Sequence, residues 1–318
     1  MQKKKVLVVG FGMMGCRHVQ AFLQDKTKYE VHVLELSQEN IQTNLVRIGA
    51  KLEDCIWYDN LKNVPLLDVA VVATSSAPRF NILKELINKG YRKFLIEKIV
   101  FQSGDQFKEI LDLVESTNSE VYCNFVNRYF EAYNRIKKDL SQINEGKISM
   151  TVHGGEFGLG CNAIHYIDIF QYISDSNKIS NISAIVDVLE EPNRRGSIYK
   201  EFTGTMQFTN EALDNILLVA EPKYVGGVTI NIQKGENTYL LNENSQEFVS
   251  VIKGKVRREN FQIIPTSMLS NVIIEDIFNN NCQLTKLKDT EKSHLELFKI
   301  FNEKLFAKNS SDTICPIT

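Results

Sequence analysis

The sequence predicts an α/β domain with a doubly wound parallel sheet, followed by an α+β domain built on a largely antiparallel sheet. Three observations predict it. Up to about residue 125, short apolar runs rich in β-branched residues alternate with helical stretches. From about residue 147, strand-like runs follow one another with little helix between them. A glycine-rich stretch, VVGFGMMGCRH at 8–18, joins the first apolar run to a helical one.

The elements follow in order. VLVVG (6–10), VHVLEL (31–36), VAVVAT (69–74), FLIEKI (94–99) and VYCNFV (121–126) read as the parallel strands. NILKELINKG (81–90), closed by a glycine, and DQFKEILDLVEST (105–117) read as helices between them. TVHGGEF, ISAIVDVLEE, FTGTMQFT, NILLVAE, GGVTINIQ, NTYLLNE and EFVSVIKG supply the second sheet. Val228, Ile230 and Ile232 alternate, which puts their side chains on one face. Apolar residues at helical spacing mark two further helices, at 267–280 and 290–306. A chain of 318 residues is long enough for two cores. The expected division is 1–125 and 126–318, with no repeat and no Pro-rich tether between the two.

Composition narrows the function. A net charge of −2 and a pI near 6.3 give no reason to expect nucleic acid or an anionic membrane as partner. No stretch approaches the roughly 18 apolar residues of a membrane span, and the apolar run after MQKKK is too short for a signal peptide. The six cysteines show no CxxC spacing and read as reduced thiols, so a cytoplasmic protein is expected. Five scattered histidines without HxxxH spacing give no metal site.

The glycine-rich stretch carries the first chemistry. Gly10, Gly12 and Gly15 form GxGxxG between a strand and a helix, and Glu35 closes the second strand 20 residues beyond Gly15. At that spacing a carboxylate reaches the ribose diol of a dinucleotide. Gly10 permits the turn, Gly12 lets backbone approach the pyrophosphate, and Gly15 allows close packing. The phosphates would lie on free N–H groups at the start of the helix over 13–24. The loop Gly10-Phe11-Gly12-Met13-Met14-Gly15 and Glu35 are therefore expected to bind NAD. NADP is disfavoured because its 2′-phosphate would meet Glu35.

Two further stretches stand out. Glu97 and Lys98 lie at the carboxyl end of the strand FLIEKI, the edge where open α/β sheets bind ligands. A solvated Glu–Lys pair is the plainer alternative. In GLGCNAIHYIDIF (158–170), Asn162 reads as an N-cap, with Ala163, Ile164 and His165 as the first helical positions. The Asn162 side chain would then accept from the His165 N–H. The helix dipole would disfavour an imidazolium in that turn, leaving a neutral base. Ile164, Ile167, Phe170 and Ile173 mark the buried stripe, and His165 and Asp168 share a face. A structural histidine donating to Asp168 stays open beside the catalytic reading.

Together GFGMMGCRH (10–18), ATSSAPRF (73–80), IEKI (96–99), NFVNRYFEAY (124–133) and GG…NAIHYID (154–168) resemble the glucose–fructose oxidoreductase/inositol dehydrogenase family, Gfo/Idh/MocA. The resemblance implies a Rossmann domain followed by a domain on an open antiparallel sheet. It implies an NAD-dependent oxidoreductase of a sugar, sugar nucleotide or cyclitol, associating as a homodimer or homotetramer through that sheet. It makes Lys98 and His165 the catalytic pair, meeting at one substrate oxygen, and adds Thr74, Ser75, Glu97 and Lys98 to the cofactor site. Arg128, Cys161, Asn162 and Asp168 would contact substrate, and for Arg128 an inter-domain salt bridge is the alternative. Two departures stand out. Ile99 replaces the family's proline, often preceded by a cis bond, so a different local backbone is expected. Cys161 stands where the family often has aspartate, leaving Asn162 or Asp168 to orient the histidine. An NAD-recycling, glycoside-cleaving enzyme and a non-catalytic dinucleotide-binding regulator remain alternatives.

Overall fold

Val6, Leu7, Val8 and Val9 are sealed from solvent because β1 (Lys4–Val9) runs between two parallel neighbours, β2 (Tyr29–Leu34) and β4 (Val69–Val72). A central parallel strand is covered on both faces, which is why these segments are continuous apolar runs. The computed structural model describes residues 2–155, 157–190, 195–222 and 226–318. They gather into two units. One comprises Met1–Phe101, Gln106–Val126 and Ile264–Leu287; the other comprises Gln102–Asp105, Asn127–Ile263 and Lys288–Thr318.

The first unit is a six-stranded, all-parallel sheet completed by β3 (Ile56–Tyr58), β5 (Lys93–Ile96) and β6 (Glu120–Cys123). Its order, β3-β2-β1-β4-β5-β6, reverses direction between β1 and β4. That reversal opens a crevice at the carboxyl ends of the two strands, where ligands bind in such sheets. The helices are α1 (Gly15–Leu23), α2 (Gln38–Ile48), α3 (Ser76–Asn88), α4 (Gly104–Thr117, entering this unit at Gln106) and, from far along the chain, α7 (Thr266–Phe278). The Ser37 hydroxyl caps α2 by accepting from the Asn40 N–H at 3.1 Å, and Gly49 ends it with φ 65°. Helix α7 packs on α1, burying Leu269, Ile273, Ile274 and Ile277. The sequence reading placed the whole of 126–318 in the second domain; 264–287 gathers instead with the first unit.

In the second unit eight strands lie in the order β14-β13-β12-β11-β7-β10-β9-β8. They are β7 (Ser149–Gly155), β8 (Ile179–Val188), β9 (Phe202–Asn210), β10 (Asn215–Glu221), β11 (Thr229–Lys234), β12 (Asn237–Asn242), β13 (Glu247–Ile252) and β14 (Lys255–Asn260). Only the β7–β10 pair is parallel among them. One face buries Met150, Val152, Met206, Phe208, Ile216, Leu218, Ile230 and Ile232. The helices of this unit are α5 (Glu131–Ser141), α6 (Leu159–Ser174) and α8 (Leu287–Phe306), and α6 packs on β9 and β10. The other face is half-exposed and largely polar, with Thr151, Thr205, Gln207 and Asn231 among its residues.

Candidate functional site

The glycine loop has three distinct tasks, one per glycine. Gly10 has φ +89°, and its N–H donates to the Leu34 carbonyl at 2.9 Å, tying the turn to β2. A Cβ on Gly15 would lie 1.9 Å from the Gly10 carbonyl oxygen, so no other residue closes this turn unchanged. A Cβ on Gly12 would meet nothing within 4 Å. The chain therefore needs no glycine at 12 for its own packing, and the space over Gly12 is open to a ligand. No acceptor among the described residues takes the N–H groups of Gly12, Met13 or Met14. Met14 at the N-cap of α1 offers no side-chain cap, so the positive end of the helix is bare. This is a cradle for a phosphate anion.

Glu35 stands beside the cradle and stiffens it. Its Oε2 accepts from the Phe11 N–H at 2.6 Å, and its Oε1 from the Leu36 and Ser37 N–H groups, each at 2.9 Å. From the other side the Asn44 amide donates to the Phe11 carbonyl at 2.6 Å. Phe11 is fully buried, edge-on to Trp57 with ring centroids 5.1 Å apart. Phe11 thus anchors the loop from the core side, while Met13 is exposed. Thr74 follows β4, with its methyl against Gly10 and its buried hydroxyl without a partner among the described residues. Ser75 is the N-cap of α3. A nucleotide fits this donor set: open backbone at Gly12, bare N–H groups, an unsatisfied hydroxyl at Thr74 and an acceptor carboxylate at Glu35.

At the end of β5 both Glu97 and Lys98 are buried. Glu97 is turned inward: its Oε1 lies 3.1 Å from His18 Nε2 and accepts from the Asn124 amide at 2.7 Å. The other ring nitrogen of His18 lies 2.8 Å from the Ser270 hydroxyl on α7. Burial pushes the Glu97 carboxyl up, but the His18 hydrogen bond and charge, then Asn124 and Lys98, outweigh it and bring it to about 2. Lys98 is followed by a cis peptide bond to Ile99. The expectation of a different backbone at this position is corrected: isoleucine stands here in the cis geometry. Its carbonyl is taken by buried Arg79, which also donates to the Thr74 carbonyl.

The second unit holds the other predicted residues, with three corrections. Helix α6 begins at Leu159, not Ala163; Gly158, at φ 61°, is its N-cap. Asn162 is its fourth residue and its amide donates to the Phe157 carbonyl, so it neither caps the helix nor accepts from His165. His165 is the seventh residue, beyond the first turn, and the argument from the helix dipole falls. The cause is Glu201, at the entry to β9, whose Oε1 accepts from the Gly160 N–H at 2.6 Å and the Cys161 N–H at 3.3 Å. A carboxylate 41 residues downstream in sequence caps the helix, and no local spacing announces it. The inter-domain salt bridge that stood as the alternative for Arg128 is redrawn as well. Its guanidinium forms a two-pronged pair with Asp168, at 2.8 and 2.9 Å, within the second unit, and it lies over the Tyr172 ring. Cys161, Asn162 and His165 share the half-exposed stripe of α6. Arg195 Nη1 donates to Cys161 Sγ at 3.3 Å, placing a guanidinium where the sequence comparison led to a carboxylate.

Known proteins agree with this architecture. Residues 4–125 match the model of an oxidoreductase family with an NAD-binding Rossmann fold, Gfo/Idh/MocA. No curated protein matches the sequence significantly. Among solved structures, a super-repressor mutant of Gal80p from Saccharomyces cerevisiae superposes with a TM-score of 0.75 at 15% identity, over 96% of this chain and 97% of that one. An oxidoreductase from Agrobacterium radiobacter, in complex with NAD+, L-tartaric acid and magnesium, gives 0.73 at 10% identity, over 96% and 98%. UDP-N-acetylglucosamine 3-dehydrogenase from Acidithiobacillus ferrooxidans gives 0.70 at 11% identity, over 92% and 94%. At such identities the likeness is one of fold. What the comparisons show is that residues 4–125, most of the first unit, match the NAD-binding Rossmann fold of the Gfo/Idh/MocA oxidoreductase family.

Proposed function

We propose that the protein is an NAD-dependent dehydrogenase or reductase acting on a secondary alcohol, or the matching ketone, of a sugar, sugar nucleotide or cyclitol. The observation that carries this reading is the open backbone over Gly12, in the unit that also holds buried Lys98 just past the carboxyl end of β5. A nicotinamide dinucleotide supplies or takes up the hydride. The chain does the rest. The bare N–H groups of Gly12, Met13 and Met14 hold the pyrophosphate, and Glu35 accepts from the ribose diol. Lys98 holds and polarises the substrate oxygen. His165 accepts or returns its proton, a role assigned by family resemblance alone. The carbohydrate class draws on the same resemblance and on the fold shared with UDP-N-acetylglucosamine 3-dehydrogenase.

The test is a panel of sugar nucleotides and cyclitols, each incubated with the protein and NAD+ while nicotinamide absorbance is followed. His165→Ala is expected to reduce turnover on a scale of roughly 10²–10⁴, as loss of a general base does, with NAD affinity little changed, and Lys98→Ala is expected to reduce turnover as well. Tight NAD binding with no turnover of any member, unaffected by Lys98→Ala, would move the reading to a dinucleotide-binding regulator. Cys161 in place of aspartate favours that second reading. Association of copies through the eight-stranded sheet belongs to the same proposal, and light scattering tests it.

A further inference from the structure

Lys98 sits between two residues that are fastened independently. Glu97, before it, is held through its side chain by His18 on α1 and by Asn124 after β6. Ile99, after it, is held through its carbonyl by Arg79. The Glu97 N–H donates to the Val72 carbonyl at 3.0 Å and the Asn124 N–H to the Ile96 carbonyl at 2.8 Å, extending the ladder to the edge of Lys98. His18 is fully buried and both its ring nitrogens are engaged, one toward Glu97 and one toward Ser270. The Ser270 hydroxyl in turn reaches the Thr266 carbonyl at 2.8 Å, one turn back in α7.

From this geometry we infer that His18 and Glu97 are positioning residues for Lys98, coupling α1 and α7 to the strand end that presents the lysine. The inference rests on the reading of Lys98 as the group facing nicotinamide and substrate. Glu97, expected from the sequence to touch the cofactor, acts instead through its neighbour. Burial of a carboxylate is unfavourable unless polar partners compensate it, and His18 and Asn124 both engage Glu97 by hydrogen bonds. The depressed Glu97 carboxyl is consistent with an anion held in that frame. The glycine loop has anchors of its own, in Glu35 and Asn44, which do not pass through His18. Loosening His18 should therefore disturb the nicotinamide end of the site and spare the phosphate end.

That separation makes the test. NADH and ADP-ribose, which lacks the nicotinamide, are titrated calorimetrically into wild type, His18→Leu and His18→Gln. His18→Leu is expected to weaken NADH about tenfold, the low end for a lost hydrogen bond to a charged group, and to leave ADP-ribose unchanged. His18→Gln, which keeps polar atoms for both partners, is expected to recover most of the loss. Should His18→Leu fail to fold, Ser270→Ala removes one anchor of the imidazole and should give the same selective loss on a smaller scale. An equal loss for both ligands, or none for either, overturns the inference and leaves His18 a purely structural residue. Binding of neither ligand to wild type overturns the proposed function, and this inference with it.

Discussion

Gly12 and Gly15 are three residues apart and should respond to the same substitution in different ways. An alanine methyl at 15 collides with the Gly10 carbonyl at 1.9 Å, so Gly15→Ala must move backbone and is expected to lose both stability and NAD affinity. The methyl of Gly12→Ala meets no protein atom within 4 Å, so its thermal midpoint should stay near wild type while NAD binding is lost. A Gly12→Ala protein that binds NAD normally would place the pyrophosphate elsewhere. On the proposed reading Glu35 would discriminate between cofactors, accepting from a ribose diol and repelling a 2′-phosphate. NAD is expected to bind more tightly than NADP, and Glu35→Ala to narrow the gap by weakening NAD by about 1.5–3 kcal/mol, read by titration calorimetry. Because Glu35 also receives the Phe11 N–H, part of that loss would come from a looser loop. Glu97 gives the pH dependence. Its carboxyl is lowered from 4.5 to about 2 in the folded chain, so the stability it contributes is present above the ordinary carboxylate range. That contribution is lost as pH falls through about 2. Urea unfolding between those pH values should be steeper in pH for wild type than for Glu97→Gln.

Helix α6 shows where reading a sequence by elements succeeds and where it stops. Its buried stripe, Ile164, Ile167, Phe170 and Ile173, is legible because apolar spacing is a local property of the chain. Its start is not legible because Asn162 has the composition of a cap, while the carboxylate that takes the first free N–H groups, Glu201, arrives from the entry to β9. The GxGxxG loop is legible for the opposite reason: strand, turn and helix are contiguous, and Gly15 answers to Gly10 in the same stretch. Strand β14, KVRREN, carries no pattern because all six residues are exposed, and β3 has only three residues. The partners of Arg128 and Asp168, 40 residues apart, were equally out of reach. Their pair fastens α6 to the segment after β6, with side-chain exposures of 12% and 1%. Removing one member of such a pair leaves the other charge uncompensated, so Asp168→Asn should cost about 3–5 kcal/mol in urea unfolding. Replacing both partners with apolar residues should recover much of that loss, and a double-mutant cycle measures the coupling.

At the scale of the chain, the first unit is not a continuous stretch of sequence. Its sheet is complete by Cys123, yet α7, more than a hundred residues later, returns to cover α1. Leu269, Ile273, Ile274 and Ile277 are each at most 4% exposed, and Ser270 meets His18 in the same layer. Polar ties join them: the Tyr29 hydroxyl donates to Glu275 at 2.6 Å, and the Gln24 amide to the Ser267 carbonyl at 3.1 Å. Full burial of a large aliphatic side chain contributes about 1.5–3 kcal/mol, so the four together contribute roughly 6–12 kcal/mol as an upper figure. That is comparable with the roughly 5–15 kcal/mol that separates a folded domain from its unfolded chain. A fragment ending at residue 126 would contain the entire six-stranded sheet and the cofactor cradle, and would appear from sequence to be a self-sufficient domain. It is expected instead to lack a cooperative thermal transition and to bind no NAD. The same fragment joined by a flexible linker to residues 264–287 is expected to regain both. If 1–126 alone melts cooperatively and binds NAD as the full chain does, α7 is a cover the unit can do without, and the His18–Ser270 contact loses its structural importance.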